Sequence, residues 1–453
     1  MNVNGDYNDF LEEFIKLLKN NNIEYNVNCL KRIKNISNKD LFYKYQKYIN
    51  NKDNLNLSHS RSGKEKVSFV ILTYNEERVI KRCIESILSI ADEIIVIDSQ
   101  SNDRTIEIIK SLNSDIIHVY SIKWINDFSY ARNIGIDKAS GDWIFFIDAD
   151  EYIEDNISYE EIRDLFSIFR NTLYYDRFYL CPTISDTFSE NILDNIPRIF
   201  IKSQRLHYYG KVHEEIRNNL DIPLLEIHVS ILIKHDGYTP QVLKSKNKLE
   251  RNITLLKDMI KIEPDNPRWK YFFVRDSFFN HNPNLVYLKE ILLSFLLKDN
   301  SKFLQKSNIV MNHYTVMSLD LLCRIEIVLQ NYNNAKLLSS YLFELNPNSM
   351  NAKYYQILSE LLFYKLKSKN LLNDVIQFRK RHFEDQPNAI STKGYHLDLL
   401  IAILLFENMY YSQSKKYFEF LKDKFNDVEF QINIQNYLDI MNNIKEEGGL
   451  YEK

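Results

Sequence analysis

The chain has 453 residues, of which 45% are hydrophobic and 26% are charged, a composition typical of globular proteins. Its 58 basic and 61 acidic side chains leave a formal net charge of −3, which argues against a broad basic surface for nucleic acid. At this length we expect two or three domains.

The spacing of the cysteines and the length of the apolar runs indicate the cellular compartment of the protein. No CxxC spacing is present, which argues against a zinc site or a disulfide framework and favours a reducing environment. The N-terminal stretch lacks the basic and apolar regions of a signal peptide, and the apolar run at residues 399–406 is shorter than a membrane span. We therefore expect a cytoplasmic protein with no membrane span. The four cysteines are Cys29, Cys83, Cys181 and Cys323.

Residues 1–62 are rich in polar side chains. The segments "YNDFLEEFIKLLKN" and "KDLFYKYQKYI" predict one or two polar helices, and the aperiodic "NNKDNLNLSHSRSGKEK" predicts a linker. This extension is compatible with a cap, a homodimer contact or a clasp for the leader of an acceptor peptide, and the sequence does not choose among them.

From residue 67 the sequence pattern changes to short apolar runs separated by amphipathic segments. The runs "VSFVILTY", "EIIVIDSQ", "IIHVYSI" and "WIFFIDAD" are continuous and rich in Val and Ile, which is typical of parallel strands that are covered on both faces. Residues 63–240 are therefore predicted to form a doubly wound α/β domain, with ligands at the carboxyl ends of its strands.

Chemically distinctive clusters follow three of these strands. "TYNEE" closes the first strand, "DSQSNDRT" the second and "DADE" the fourth. In the last cluster, Asp148 and Asp150 flank the small Ala149, and paired carboxylates of this kind suit Mg²⁺ or Mn²⁺ holding a diphosphate. Acids that cap the next helix are the alternative interpretation. The chain has no GxGxxG after the first strand and no GxxxxGK, which disfavours dinucleotide oxidoreduction and P-loop hydrolysis.

Residues 241–453 have a helical pattern. The turns "EPDNP", "LNPNS" and "DQPNA" each precede an aromatic-rich helix, in the manner of degenerate tetratricopeptide pairs. A short helical array of this type presents a surface to peptides. The alternative is a helical cap or dimer contact. The basic run "KSKNKLER" is interpreted as a solvated helix face.

The ordered clusters of residues 67–151 closely resemble the nucleotide-sugar domain of family-two glycosyltransferases of the GT-A fold, a Rossmann-like nucleotide-diphospho-sugar transferase. The resemblance implies an enzyme that uses a UDP-sugar and a divalent cation, Mg²⁺ or Mn²⁺. Gln100 stands where the family often has glycine. The residues that the resemblance assigns to the donor are Thr73, Tyr74, Glu76, Asp98, Ser99, Arg132, Asp148, Ala149 and Asp150.

Two later segments resemble the same family. "GKVHEE" is similar to its acceptor-side motif, and we expect Glu214 to be the general base, with Glu215 or His213 as substitutes. "HDGY" is similar to a loop that supplies a histidine to the metal, so His235 is predicted as the ligand that joins Asp148 and Asp150. For each histidine, a packed or hydrogen-bonded core position is the alternative. Inversion at the sugar carbon is implied by the resemblance.

The layout of the whole chain resembles the sublancin-type peptide glycosyltransferases, most strongly at "WINDFSYARN", "FIDAD", "GKVHEE" and "EPDNPRW". This resemblance implies transfer of a hexose from UDP-glucose or UDP-N-acetylglucosamine to a Cys or Ser side chain of a ribosomal bacteriocin precursor. Alternatives are an acceptor in a cell-envelope glycan or lipid, a nucleotidyltransferase that releases pyrophosphate, and a repeat scaffold that binds nucleotide without turnover.

Overall fold

The chain divides into two units, Met1–His281 and Asn282–Lys453. The computed structural model describes residues 14–16, 18–19, 27–36, 38, 40–42, 44, 65–173, 176–188, 191–236, 248–298, 305–382, 391, 393–424 and 428–446. The predicted domain boundaries at residues 62/63 and 240/241 lie outside the described residues.

The strands found in the described residues of the first unit are β1 (Ile33–Ile36), β2 (Val67–Thr73), β3 (Glu93–Asp98), β4 (Ile117–Ser121), β5 (Trp143–Asp148), β6 (Glu151–Ile153), β7 (Phe178–Asp186), β8 (Ile192–Leu193), β9 (Ile199–Ile201), β10 (Leu206–Tyr209), β11 (Glu215–Asn218) and β12 (Leu225–His235). Ten of them form a mixed sheet at the centre of this unit, in the order β1-β12-β7-β9-β5-β2-β3-β4, with β6 on β12 and β8 on β7. β10 and β11 form a separate antiparallel pair.

Helices cover both faces of this sheet. Alternate residues of β2 belong to different apolar clusters, since Phe69 and Ile71 lie in one and Val70 in the other. A strand whose successive side chains are all buried requires packing on both faces, which explains its continuous apolar run. The helices of the first unit whose bounds lie in the described residues are α1 (Val27–Leu30), α2 (Ile80–Ile87), α3 (Thr105–Ser111), α4 (Phe128–Lys138), α5 (Tyr159–Thr172), α6 (Lys248–Ile262) and α7 (Pro267–Phe278).

The N-terminal segment contributes to the sheet. β1 pairs antiparallel with β12, and Arg32 beside it donates to Asp155 at 2.7 Å and to the carbonyl of Ser230 at 2.9 Å. This strand was not predicted from the sequence, because "IKNI" is short and half polar. Of the predicted N-terminal helices, residues 14–16, 18–19, 40–42 and 44 are helical, and the rest lie outside the described residues.

The described part of the second unit is helical apart from its loops and one isolated bridge, and consecutive helices pack against each other. The predicted α/β domain followed by an all-α domain is thus confirmed. Pro264 precedes α7 and Pro347 precedes α11, as predicted, whereas Pro387 lies outside the described residues. The helices are α8 (Leu285–Leu296), α9 (Thr315–Val328), α10 (Tyr332–Leu345), α11 (Met350–Arg381), α12 (Tyr395–Glu407), α13 (Tyr411–Leu421) and α14 (Val428–Glu446).

Two further features concern membrane spans and cysteines. Across the described ranges, no helix combines the length and the apolarity that crossing a bilayer requires. The four cysteines are buried and carry free thiols.

Candidate active site

The carboxyl ends of β2, β3 and β5 lie side by side at one edge of the sheet. Thr73 is paired with Asp98, and Leu72 is paired with Asp148. The three chemically distinctive clusters of the sequence are therefore brought together at the edge where open α/β sheets bind ligands.

The end of β2 combines a buried hydroxyl with an exposed ring. Thr73 is buried, and its Oγ1 has no hydrogen-bond partner within the described ranges. The side chain of Tyr74 is 52% exposed. The backbone N–H of Glu76 donates to Oγ1 of Thr105 at 2.8 Å, which ties this loop to the start of α3. Such a combination suits a ligand with an aromatic ring and polar edges, and the uridine contacts of Thr73, Tyr74 and Glu76 stay predictions.

The loop after β3 is held by its own hydrogen bonds. The carboxylate of Asp98 accepts from the hydroxyl of Ser101 at 2.6 Å and from its N–H at 3.1 Å. The N–H of Ser99 donates to the carbonyl of Thr73 at 2.9 Å. Gln100 has a φ of +64°, in the left-handed region that glycine adopts most readily. Gln100 thus has the backbone conformation that a glycine would readily adopt at this position.

Asp148 lies at the centre of an ionic network. Arg132, on α4, donates to one oxygen of Asp148 at 3.2 Å and also to Glu214. Arg198 donates to the other oxygen of Asp148 at 2.6 Å and to Glu151 at 2.7 Å. Burial opposes the ionised form of Asp148, but the two arginines hold its pKa well below the usual range. Burial, and then the charge of Asp148, raise the pKa of Glu151 to about 7 although Arg198 opposes the shift.

Asp150 and His235 form a second group. The carboxylate Oδ2 of Asp150 lies 3.5 Å from Nε2 of His235, and Nδ1 of the same imidazole lies 3.5 Å from Oδ2 of Asp186. Burial lowers the pKa of His235, but the hydrogen bond and charge of Asp150 outweigh it and raise that pKa to about 9. The intervening Ala149 is buried.

The donor atoms of this second group fit a divalent cation. An imidazole nitrogen and a carboxylate oxygen face each other, and a second carboxylate orients the imidazole from behind, as in many metal sites. Magnesium commonly takes few protein ligands and completes its shell with water and substrate phosphate. Both oxygens of Asp148 instead accept from arginines. In the described part of the chain, no three His, Cys, Asp or Glu side chains are grouped so that they could hold a metal ion. The role of Asp148 as a metal ligand stays a prediction.

The three candidate bases of "GKVHEE" have different surroundings. Glu214 extends toward Arg132 and so joins the network of Asp148. The imidazole Nε2 of His213 lies 2.8 Å from a carboxylate oxygen of Asp276, and burial is the main reason that its pKa is lowered. The Oε1 of Glu215 accepts from Nε of Arg217 at 2.8 Å. Glu214 is therefore the member of the three that adjoins the strand-end carboxylates.

The glycine of this motif makes a close contact with α7. Gly210 has a φ of +107°, and a Cβ atom added there would lie 2.5 Å from Cη2 of Trp269. Trp269 is fully buried and donates from Nε1 to Glu263 at 2.7 Å. Only glycine combines this backbone conformation with this approach of the indole ring.

We expect Gly210→Ala to lower the free energy of unfolding by about 2–4 kcal/mol, because backbone strain and overpacking add. Urea unfolding measures the change. In a background that carries Trp269→Phe, the added methyl group meets a smaller ring, so the same substitution should be less destabilising there. Equal losses in the two backgrounds would contradict the steric explanation.

Several residues of the site were not identified from the sequence. Arg198 lies in the segment "PRIFIK", where a lone arginine in an apolar run is a signal for a buried ionic role. Asp186, Asp276 and Arg268 have no comparable signal, since their partners are distant in the chain. Arg268 donates from Nε to the carbonyl of His213 at 3.1 Å and thereby fixes the backbone beside Glu214.

Comparison with known proteins identifies the family. The family model described as Glycosyl transferase family 2 matches residues 68–219. The SPbeta prophage-derived glycosyltransferase SunS of Bacillus subtilis (strain 168) is 30% identical over 357 residues, which are 76% of this chain and 78% of SunS. The chain belongs to glycosyl transferase family 2. As a family-2 glycosyltransferase it is an enzyme of the transferase class, as predicted.

Two other similarities are more limited. An uncharacterized glycosyltransferase of Rickettsia bellii (strain RML369-C) is 37% identical over 103 residues, 23% of this chain and 33% of that protein. The crystal structure of S. aureus TarS 1–349 in complex with UDP-GlcNAc is 13% identical, and the match covers 65% of this chain and 89% of that chain with a TM-score of 0.32. At that TM-score the structural likeness supports no further conclusion about this family-2 glycosyltransferase.

Proposed function

We propose that this glycosyltransferase moves a hexose from a UDP-sugar, with UDP-glucose the first candidate, to a Cys or Ser side chain of a ribosomally made bacteriocin precursor, with inversion at the sugar carbon. The observation that carries the proposal is the similarity to SunS over 76% of the chain, because it extends well beyond the family-2 segment at residues 68–219. The resemblance of the chain layout to the sublancin-type peptide glycosyltransferases supports a peptide acceptor.

The donor nucleoside is assigned to the carboxyl ends of β2 and β3. The Thr73 hydroxyl, which has no partner among the described residues, and the exposed ring of Tyr74 support contacts with the uridine. Asp98 and Ser99 complete the ribose side of the site in this proposal. Arg132 adjoins the diphosphate and, after Arg198, helps to lower the pKa of Asp148.

In the proposed enzyme, Asp150 and His235 hold Mg²⁺ or Mn²⁺, with Asp148 as the third predicted ligand. When bound, the cation stabilises the negative charge that develops on the departing UDP. Asp186 orients the imidazole of His235 from its opposite nitrogen. Because a ligating imidazole must be neutral, His235 would hold the cation in its deprotonated form.

Glu214 is proposed to take the proton of the acceptor. A nucleophile that attacks the anomeric carbon loses its proton, and a carboxylate is a sufficient base for a thiol with a pKa of about 8.5. Arg132 fixes the orientation of this carboxylate. The ion pairs of Glu215 and the Asp276 contact of His213 support structural roles for those two residues.

The second unit is proposed to dock the acceptor peptide. Its 32-residue helix α11 exposes apolar side chains at Met350, Tyr354, Ile357 and Leu361, at alternating spacings of four and three residues. A helical surface with this periodicity suits an amphipathic peptide. We place the reaction in the cytoplasm, where a ribosomal precursor is made.

The test is to incubate the purified chain and a divalent cation with a cysteine-rich bacteriocin precursor and a panel of UDP-sugars, and to measure the peptide mass. We expect an increase of one or more hexoses with one donor. Cys→Ala and Ser→Ala variants of the precursor then identify the acceptor side chain.

Other outcomes point to the alternatives. An unchanged peptide with sugar on extracted lipid or envelope glycan would identify a different acceptor. Release of pyrophosphate would indicate a nucleotidyltransferase, and nucleotide binding without release of UDP would indicate a scaffold.

A further inference from the structure

The start of α6 carries two cations on one face. Lys248 and Arg251 are three residues apart on the helix Lys248–Ile262, and side chains at this spacing are neighbours on a helix surface. Both belong to the basic run "KSKNKLER", which was predicted to be a solvated helix face, but both are partly buried.

Arg251 is partly buried, yet its guanidinium forms no ion pair with a described residue. Its Cζ lies 5.0 Å from the ring centroid of Phe128, and its Nη2 donates to the side chain of the adjacent Asn252 at 3.2 Å. Its Nε is buried and has no hydrogen-bond partner in the described part of the chain. No carboxylate of the described residues lies within 4.0 Å of the Arg251 guanidinium.

The buried arginines of this unit are different. Arg132, Arg163 and Arg198 each form an ion pair with an aspartate or a glutamate. A buried charge without a partner is strongly destabilising, whereas a buried pair is tolerated. Arg251 is only partly buried, but it has no such pair among the described residues, and its buried Nε points to an anion that is not part of the described chain.

The position of Arg251 places this anion at the active site. Its guanidinium lies over the ring of Phe128, which is one turn before Arg132 on α4. Arg132 in turn donates to both Glu214 and Asp148. The charge of Glu214 also opposes the lowering of the Arg251 pKa by burial. Lys248 lies one turn before Arg251 on the same face of α6.

We propose that Arg251 and Lys248 bind the diphosphate of the donor nucleotide, a role that rests on the proposed function. A diphosphate carries the multiple negative charges that two neighbouring cations can neutralise, and the planar guanidinium matches phosphate oxygens in a fork geometry. Because the charge on the diphosphate increases as the sugar departs, the same contact strengthens during transfer.

Calorimetry with three probes, UDP, uridine and inorganic pyrophosphate, tests this assignment. In Arg251→Met we expect UDP to bind roughly 10- to 100-fold more weakly while uridine affinity is unchanged, since a charge-assisted hydrogen bond to the diphosphate is lost. Arg251→Lys should retain part of the UDP affinity. Lys261→Met, which removes an exposed cation of the same helix, is the matched control and should bind all three probes like wild type.

Thermal unfolding separates this role from a structural one. Removal of an unpaired, partly buried cation should leave the melting temperature of Arg251→Met equal to or above that of wild type, whereas a structural role predicts a lower value. Equal losses of UDP and uridine affinity, or unchanged UDP affinity, would overturn the proposal and leave the glycosyltransferase function standing. If wild type binds pyrophosphate through Arg251 but not UDP, the anion site stands and the proposed donor fails. Binding of none of the probes would overturn both.

Discussion

Asp150→Asn is expected to lower kcat/KM for hexose transfer by about a thousandfold or more, because loss of the proposed cation would remove several kcal/mol of charge stabilisation in the transition state. The substitution keeps the size of the side chain and removes the negative oxygen that faces His235. Release of UDP from UDP-glucose, with and without Mn²⁺, is the measurement. Wild type should lose this activity in chelator and regain it with added cation, and the variant should not respond to either.

Asp137→Asn is the control for this experiment, since Asp137 is exposed near the end of α4. It should retain wild-type turnover and the same response to chelator. Unfolding curves must show that both variants are folded. If Asp150→Asn kept its turnover within tenfold of wild type and still responded to Mn²⁺, the assignment of Asp150 to the cation would be wrong.

The architecture was predictable because its signals are local. Buried parallel strands have continuous apolar runs, and the polar residues at their carboxyl ends meet at one edge of a sheet whatever the remaining topology. Thr73, Asp98 and Asp148 could therefore be placed together from the sequence, and the register of β2 with β3 and β5 brings them there. The same argument does not predict β1, whose pairing with β12 joins residues nearly 200 positions apart.

The chemical surroundings of the site were less predictable, because they depend on pairings between distant residues. Arg198 comes from the segment before β9 and accounts for one of the two arginine contacts of Asp148. His213 has its partner Asp276 on α7, 63 residues later. A basic run such as that at Lys248 and Arg251 is usually solvated, and no pattern in the sequence distinguishes a helix whose cations face an active site.

Glu214→Gln is expected to lower transfer to the acceptor by about 10²- to 10⁴-fold, the range that general-base catalysis contributes. Glutamine has the same shape and retains an oxygen for the contact with Arg132, but it does not take up a proton under these conditions. The network around Asp148 should therefore persist, and UDP affinity should be retained. Single-turnover transfer to the precursor peptide and calorimetry with UDP measure the two quantities separately.

Glu215→Gln is the matched control, because it changes the adjacent carboxylate and leaves the Asp148 network intact. Glu215 is paired with Arg217 and Arg268, so we expect a modest loss of stability and transfer within roughly tenfold of wild type. If Glu215→Gln were the more damaging substitution for transfer while both proteins bound UDP, the base would be Glu215. A large loss of UDP affinity in Glu214→Gln would instead indicate that Glu214 positions Arg132 for the donor and is not the base, since a base that acts on the acceptor contributes to transfer and not to nucleotide binding.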